Sequence, residues 1–166
     1  GNVGRGLRKG PLLEKVLHPA AASMIRVACE ELLPDGNANL LELLPGPVNV
    51  MPEGDEPNLV TGLGARPEEM SRNDGLRYRI LADLNEEPAL PFRSDCFDGA
   101  LFFFGLETLR TPDMVFEEVS RVLKPGAVFL IVHSPVPASA PLTSSSNLMD
   151  EQDRLPPVVS RLHKPT

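Results

Sequence analysis

Residues 40–49 read LLELLPGPVN: an apolar run with one acid, Glu42, closing on Gly46 held between Pro45 and Pro47. In nucleotide-binding α/β proteins a first strand ends in a glycine-rich turn that opens a helix. The glycines let backbone come close to the ligand, and the helix N-terminus favours a negative group. One glycine between two prolines offers little of that freedom. Pro52 and Pro57 come next, so PGPVNVMPEGDEP has no room for a helix of normal length and reads as an extended crossover.

Other reactive side chains are scattered. Cys29 and Cys96 are far apart and form no CxxC pair, which reads as two buried thiols in a reducing compartment rather than a disulfide. Glu53-Gly54-Asp55-Glu56 reads as a solvated turn, with docking of a basic partner as its functional alternative. Phe102, Phe103 and Phe104 fall in the longest apolar run and read as core.

Positioning these residues takes a small set of elements. Residues 12–33 have helical spacing, and Pro19 divides them into a short piece and a helix of about 13 residues, with Met24, Val27, Ala28 and Leu32 on one face. Apolar runs lie at 38–44, 58–64, 78–84, 98–106 and 127–134. They are continuous rather than alternating, the pattern of strands buried on both faces in a mostly parallel sheet. Thr111-Pro112-Asp113 starts a helix with a Thr cap, and Lys124-Pro125-Gly126 ends it; Arg66-Pro67-Glu68 starts a shorter one. The expected fold is therefore α/β and doubly wound. It divides into a basic segment and helix over 1–36, a sheet domain over 37–135, and a Pro/Ser-rich extended tail over 136–166.

Bulk properties narrow the function classes. A chain of 166 residues fits one domain, and 18 prolines are about double the usual share. The net charge of −7 argues against direct nucleic-acid binding. Charge is uneven: residues 1–26 hold Arg5, Arg8, Lys9, Lys15 and Arg26 against Glu14, whereas Val27–Ala65 has no Lys or Arg. The basic start reads as a solvated terminus or a contact for an anionic partner. No apolar run reaches the length of a membrane span, so a soluble protein is expected. A start at Gly1 fits a processed terminus or an engineered one, leaving cytoplasm, mitochondrial matrix and chloroplast stroma open.

The stretch LPFRSDCFDGALFFFGLETLRTPDMVFEEVSRVLKPGAVFLIVHSP resembles the central part of class I S-adenosylmethionine-dependent methyltransferases of the type 11 kind. The family pattern is carried by Leu90-Pro91-Phe92, Asp95, Phe97-Asp98, Leu106-Glu107-Thr108-Leu109 and Val122-Leu123-Lys124-Pro125-Gly126. Upstream, ILADLNE and NLVTGLG resemble the third and second strands, so the likeness spans about residues 38–135. It implies a Rossmann-like sheet with the cofactor beyond the carboxyl ends of the strands.

Carried over residue by residue, the resemblance implies a degenerate site. Glu42 matches the acid of the first strand, and Leu43-Leu44-Pro45-Gly46-Pro47 stands where the family has Gly-x-Gly-x-Gly. Gly64 falls where the ribose-binding acid belongs, and Asp83 remains as the adenine-side group. Thr108 replaces a frequent histidine, and His18, His133 and His163 match no catalytic position; Asp98 belongs to the turn into its strand. The vestigial cofactor positions are thus Glu42, Gly46, Gly64 and Asp83, with no catalytic and no metal residues. The tail stands in place of the family's closing hairpin, a C-terminal shortening that would leave a five-stranded remnant with an uncovered edge. The implied function is a non-catalytic structural or interaction subunit that binds other proteins and no cofactor. The alternative is an active methyltransferase using S-adenosylmethionine through a divergent loop, and a nicotinamide-dependent oxidoreductase is disfavoured by the same losses.

Overall fold

The computed structural model describes residues 19–52, 56–133 and 158–166. The basic start before Pro19, the acids Glu53 and Asp55, and most of the tail lie outside the described residues. Helix α1 (Pro19–Leu32) leads into a six-stranded sheet: β1 (Asn39–Leu43), β2 (Leu59–Gly64), β3 (Leu76–Leu81), β4 (Phe97–Phe103), β5 (Leu123–His133) and β6 (Val158–His163). The short α2 (Pro67–Arg72) joins β2 to β3, and α3 (Pro112–Val122) joins β4 to β5. The strand order is β3-β2-β1-β4-β5-β6, parallel except for β6. The order reverses beside β1, which puts the topological switch point between β1 and β4. No helix among the described residues is long and apolar enough to cross a membrane.

Two apolar layers hold the sheet. Leu41, Leu43, Leu63, Ala100 and Phe102 pack with Val115, Val119 and Val122 of α3. Leu40, Val60, Leu101 and Leu130 pack on the other face with Ile25, Ala28 and Cys29 of α1 and Met70 of α2. Burial alternates between these layers along β1 and β4, which gives the continuous apolar runs of a sheet covered twice. Arg121 fastens the loop before β4 by donating to the carbonyls of Leu90 (3.0 Å) and Phe92 (2.9 Å), while Glu118 accepts from the Leu90 N–H at 2.9 Å. Asp98 joins three strand starts, accepting from Asn39 N–H at 2.8 Å and Lys124 Nζ at 2.7 Å.

Several expectations need correction. The buried face of α1 is Ile25, Ala28 and Cys29, not the one centred on Met24 and Val27, which are 38% and 50% exposed. Both choices satisfy helical spacing, and tertiary packing selects between them. β3 runs 76–81 rather than 78–84, because its register on β2 begins at Leu76 and the backbone turns at Asp83. As an edge strand it is not buried on both faces: Tyr78 is 58% exposed and Leu81 63%. Thr111 occupies the cap position of α3 without a side-chain cap bond. Lys124-Pro125-Gly126 is already strand, since β5 starts at Leu123.

The tail holds the main departure. Instead of an extended segment throughout, its VVSRLH stretch forms β6, antiparallel to β5 from Val128↔His163 to His133↔Val158. The β-branched pair suits a pleated surface. Lys164 closes the strand: its N–H donates to Ala127 O (3.0 Å), its carbonyl accepts from Gly126 N–H (2.9 Å), and its ammonium reaches Asp95 and the Leu123 carbonyl. The five-stranded remnant is therefore a six-stranded sheet whose β5 edge is paired.

Candidate functional site at the carboxyl ends of the strands

β1 delivers the rewritten turn to the switch point. Leu44 N–H donates to Leu63 O at 2.8 Å, and then the backbone enters the left-handed region, with φ +49 at Leu44. That conformation suits glycine; for an L-residue it costs roughly 1–2 kcal/mol. The Leu44 side chain turns toward the end of β4, where its Cδ1 lies 3.5 Å from the position a Cβ on Gly105 would take. Leu44 is half-buried and packs onto the layer that contains Phe102.

Pro45 and Gly46 are buried. Pro45 rests on the two glycines of β2: a Cβ on Gly62 would stand 3.0 Å from Pro45 Cγ and 2.7 Å from Leu76 Cδ1. A Cβ on Gly64 would stand 3.4 Å from both Leu44 Cα and Pro45 Cδ. Gly64 therefore lies directly under the turn. The Gly46 carbonyl accepts from Asn73 Nδ2 at 2.9 Å, and the same amide reaches Val48 O at 3.2 Å. Asn73 is buried, and its Oδ1 accepts from Gly75 N–H at 3.0 Å.

Glu42 stands inside β1, level with Gly62 on one side and Leu101 on the other. It is 5% exposed, and burial pushes its carboxyl from 4.5 up to about 8, with no cation or hydrogen bond offsetting the shift among the described residues. At neutral pH it is mostly a neutral acid in the core. Cys29 faces the same layer and its thiol is pushed up to about 12, chiefly by burial and then by Glu42. Such a thiol is inert. Cys29 and Cys96 are both free, Cys96 only partly buried, and the described residues hold no cluster of His, Cys, Asp or Glu able to bind a metal.

Asp83 lies two residues past β3, is exposed, and accepts from Asn85 N–H at 2.9 Å, while its carbonyl accepts from Glu86 and Glu87. Asn85 bridges this loop to the segment after β4, donating to Thr108 O and accepting from Arg110 N–H, both at 2.8 Å. Of the four sequence-derived positions, Gly46 and Gly64 are brought under one turn, Glu42 is buried beneath it in the sheet, and Asp83 stays outside. The sequence does not signal Asn73, Asn85 or the left-handed Leu44 and Phe104; only the Asn-Asp-Gly turn at 73–75 offers a cue for Asn73.

A cavity of about 670 Å³ lies elsewhere. It opens at the amino ends of β2 and β3, bounded by the end of α1, by Asn49, Met51 and Pro52, and by Asp74–Arg77. The switch-point rule places the family's ligand at the opposite end of the strands, so the cavity is not that site.

Comparison with known proteins fits this geometry. Residues 59–131 match a methyltransferase domain family. Over 84 residues the chain is 38% identical to a ubiquinone/menaquinone biosynthesis C-methyltransferase of Acidiphilium cryptum, covering 51% of this chain and 31% of that protein. The chain thus spans about a third of that relative's length. An S-adenosylmethionine-dependent methyltransferase of Mesorhizobium loti superposes with a TM-score of 0.53 at 23% identity, covering 70% of this chain and 55% of that one. A chain from the complex of the Haloferax volcanii Trm112 methyltransferase activator with a methyltransferase superposes with a TM-score of 0.52 at 20% identity, covering 64% and 50%.

Proposed function

We propose, from the likeness of residues 59–131 to a methyltransferase domain family, that this chain no longer binds S-adenosylmethionine and serves as a non-catalytic, protein-binding subunit of a larger assembly. The observation that carries the reading is the Leu44-Pro45 turn. The family's ligand needs backbone to approach it and a helix N-terminus to face its carboxylate. Here a leucine side chain points across the switch point to Gly105, a buried proline lies on Gly62 and Gly64, and no helix stands between β1 and β2 among the described residues. Gly64 also lacks the carboxylate that would accept ribose hydroxyls. The residues present do not fit the cofactor.

Assembly with another protein is supported by the open edge strand β3, with Tyr78 and Leu81 exposed. The Haloferax volcanii chain of the same fold comes from a complex with an activator protein, and we extend that mode of working in partnership to this domain. Isothermal calorimetry with S-adenosylmethionine tests the proposal. No saturable heat up to millimolar ligand is expected, and micromolar binding overturns it.

A second reading is an active methyltransferase with a divergent loop. It draws on the exposed Asp83 and on the 38% identity to a C-methyltransferase. Methyl transfer to a co-purifying acceptor, lost in Asp83→Ala, would establish it in place of the first.

A further inference from the structure

β3 ends the sheet, and its outer edge has no strand beside it among the described residues. On the inner side Ala82 N–H donates to Gly64 O at 3.0 Å. Backbone groups alternate sides along a strand, so the N–H and C=O groups of Arg79 and Leu81 point away from β2. The irregularity in the β2–β3 ladder lies before Tyr78, and from Tyr78↔Thr61 to Leu81↔Gly64 the register is even. The edge is therefore a regular template over residues 78–82.

Edge strands are commonly blunted by Lys, by Pro or by charges that block a neighbour. The LRYRIL sequence of β3 has neither Lys nor Pro. Arg79 does not guard the edge either. Its guanidinium folds back onto the end of α2, donating to Met70 O at 2.7 Å and Asn73 O at 2.6 Å. Tyr78 and Leu81 are exposed, and Ile80 between them is half-buried.

Opposite charges stand at the two ends of this template. Arg77, exposed, lies 6.0 Å from the centre of the Tyr78 ring, and Asp83, exposed, accepts from Asn85 N–H. Neither joins a salt bridge among the described residues. Antiparallel pairing of the edge with its own copy has few registers, because directly opposite residues share a face and like charges there are destabilising. Centred on Arg79, the pairing sets that residue against itself. Centred on Tyr78, it sets Arg77 against Arg79 twice. Centred on Ile80, it sets Arg77 against Asp83 twice, Arg79 against Leu81, Tyr78 against Ala82, and Ile80 against Ile80. The charge order of the strand is complementary to itself in that last register alone.

We propose that β3 is a homodimer interface, in which a second copy of this chain pairs antiparallel about Ile80 and joins the two sheets edge to edge. Arg79 and Leu81 then exchange backbone hydrogen bonds with Leu81 and Arg79 of the second copy. The aliphatic stem of Arg79 lies beside the exposed Leu81, and an ion pair closes each end. The contact is isologous, so it closes at two copies and leaves no edge to propagate. The proposal shares its open edge with the protein-binding reading above but does not rest on loss of the cofactor.

Sedimentation velocity of the full chain over a dilution series tests it. The interface is small, so the mass should rise from 18.0 kDa toward twice that value across micromolar concentrations. Arg77→Asp should weaken dimerisation about tenfold, and Arg77→Asp/Asp83→Arg should regain it to within about threefold, since the swap restores opposite charges. Ile80→Cys reads the register. Residues opposite at a site without backbone bonds are close enough for a disulfide, so oxidation should link residue 80 to residue 80, as peptide mapping would show, whereas Tyr78→Cys should not link to its own copy. Circular dichroism melts confirm that each variant is folded. A wild-type monomer throughout the series overturns the proposal and leaves the edge to a different protein, without bearing on the calorimetry with S-adenosylmethionine. A dimer that Arg77→Asp does not weaken, or a folded Ile80→Cys dimer with no link at residue 80, overturns it as well.

Discussion

The connections that leave β1 and β4 start alike and end differently. Each strand passes its last hydrogen bond to a neighbour, Leu44 N–H to Leu63 O and Phe104 N–H to Val132 O, both at 2.8 Å. Each then turns through a left-handed residue, φ +49 at Leu44 and +52 at Phe104. After Phe104 the chain makes a 3-10 turn over Leu106–Thr108 and enters α3, which satisfies its own backbone and buries Val115, Val119 and Val122. After Leu44 it meets three prolines before Pro57 and forms no helix among the described residues, so a side chain, Asn73, satisfies the carbonyls of Gly46 and Val48. The sheet sets how the backbone departs from each strand, and the capacity of the next residues to propagate a helix sets its path from there. One connection builds core, and the other lies over the switch point and leaves a cavity at the far end.

If that contrast holds, the largest effect of substitution falls in the second half. Phe102 is 1% exposed at the end of β4, and Phe102→Ala should lower unfolding free energy by about 3–5 kcal/mol. Met51 is half-buried at the border of the other layer and lines the cavity, so Met51→Ala should lower it by less, about 1 kcal/mol. Urea melts of both variants check the pair. Equal losses would mean that the loop after β1 packs as tightly as the end of β4.

Next in size is the pH response of Glu42. Its carboxyl is raised from 4.5 to about 8 in the fold by burial, so between those values the folded chain holds a proton that the unfolded chain releases. Stability should therefore fall as pH rises from about 5 to about 8, by on the order of 3 kcal/mol, and level off above. Glu42→Gln should flatten that limb and be the more stable protein at the alkaline end. A wild-type curve that is flat there would place Glu42 in a hydrated or paired setting.

The doubly wound sheet was legible because its strands are continuous apolar runs and because the Leu-Lys-Pro-Gly segment comes after a helix of clear period. The prolines likewise gave away the missing helix after β1, since proline acts locally. The features that escaped depend on partners distant in sequence. Ile25 and Cys29 rather than Met24 and Val27 face the core because of where α1 lands on the sheet. Val158–His163 reads as part of a Pro/Ser tail until β5 offers an edge to pair with. Leu44 looks like an ordinary end of an apolar run, and nothing in its neighbours announces a left-handed backbone. At the proposed site, the departures from the family pattern at Leu44-Pro45 and Gly64 could be read from the residues alone, but the packing of Pro45 on Gly62 and Gly64 could not.

Asn73 comes next, because it is the substitute for a helix. Asn73→Ala strands the Gly46 carbonyl, a buried acceptor, and should cost about 2 kcal/mol, whereas Asn85→Ala at the more exposed bridge should cost about 1 kcal/mol. Thermal melts rank the two. Reversed order would mean that the extended connection draws its backbone partners from elsewhere.

The smallest effect probes the shared geometry itself. If Leu44 and Phe104 are both held left-handed by the sheet, glycine should fit either position better than alanine, although glycine offers no packing. Leu44→Gly should exceed Leu44→Ala in stability by about 1 kcal/mol, and Phe104→Gly should exceed Phe104→Ala by a similar margin. Comparing glycine with alanine, rather than with the native residue, cancels the lost side-chain contacts to Gly105 and the surrounding layer. A difference at Phe104 without one at Leu44 would show that the first turn relaxes once its leucine is cut back, so that the side chain and not the strand end imposes the conformation. Equal differences at both positions, together with no gain of S-adenosylmethionine binding in Leu44→Gly, would locate the remaining obstacle in Pro45, buried on Gly62 and Gly64.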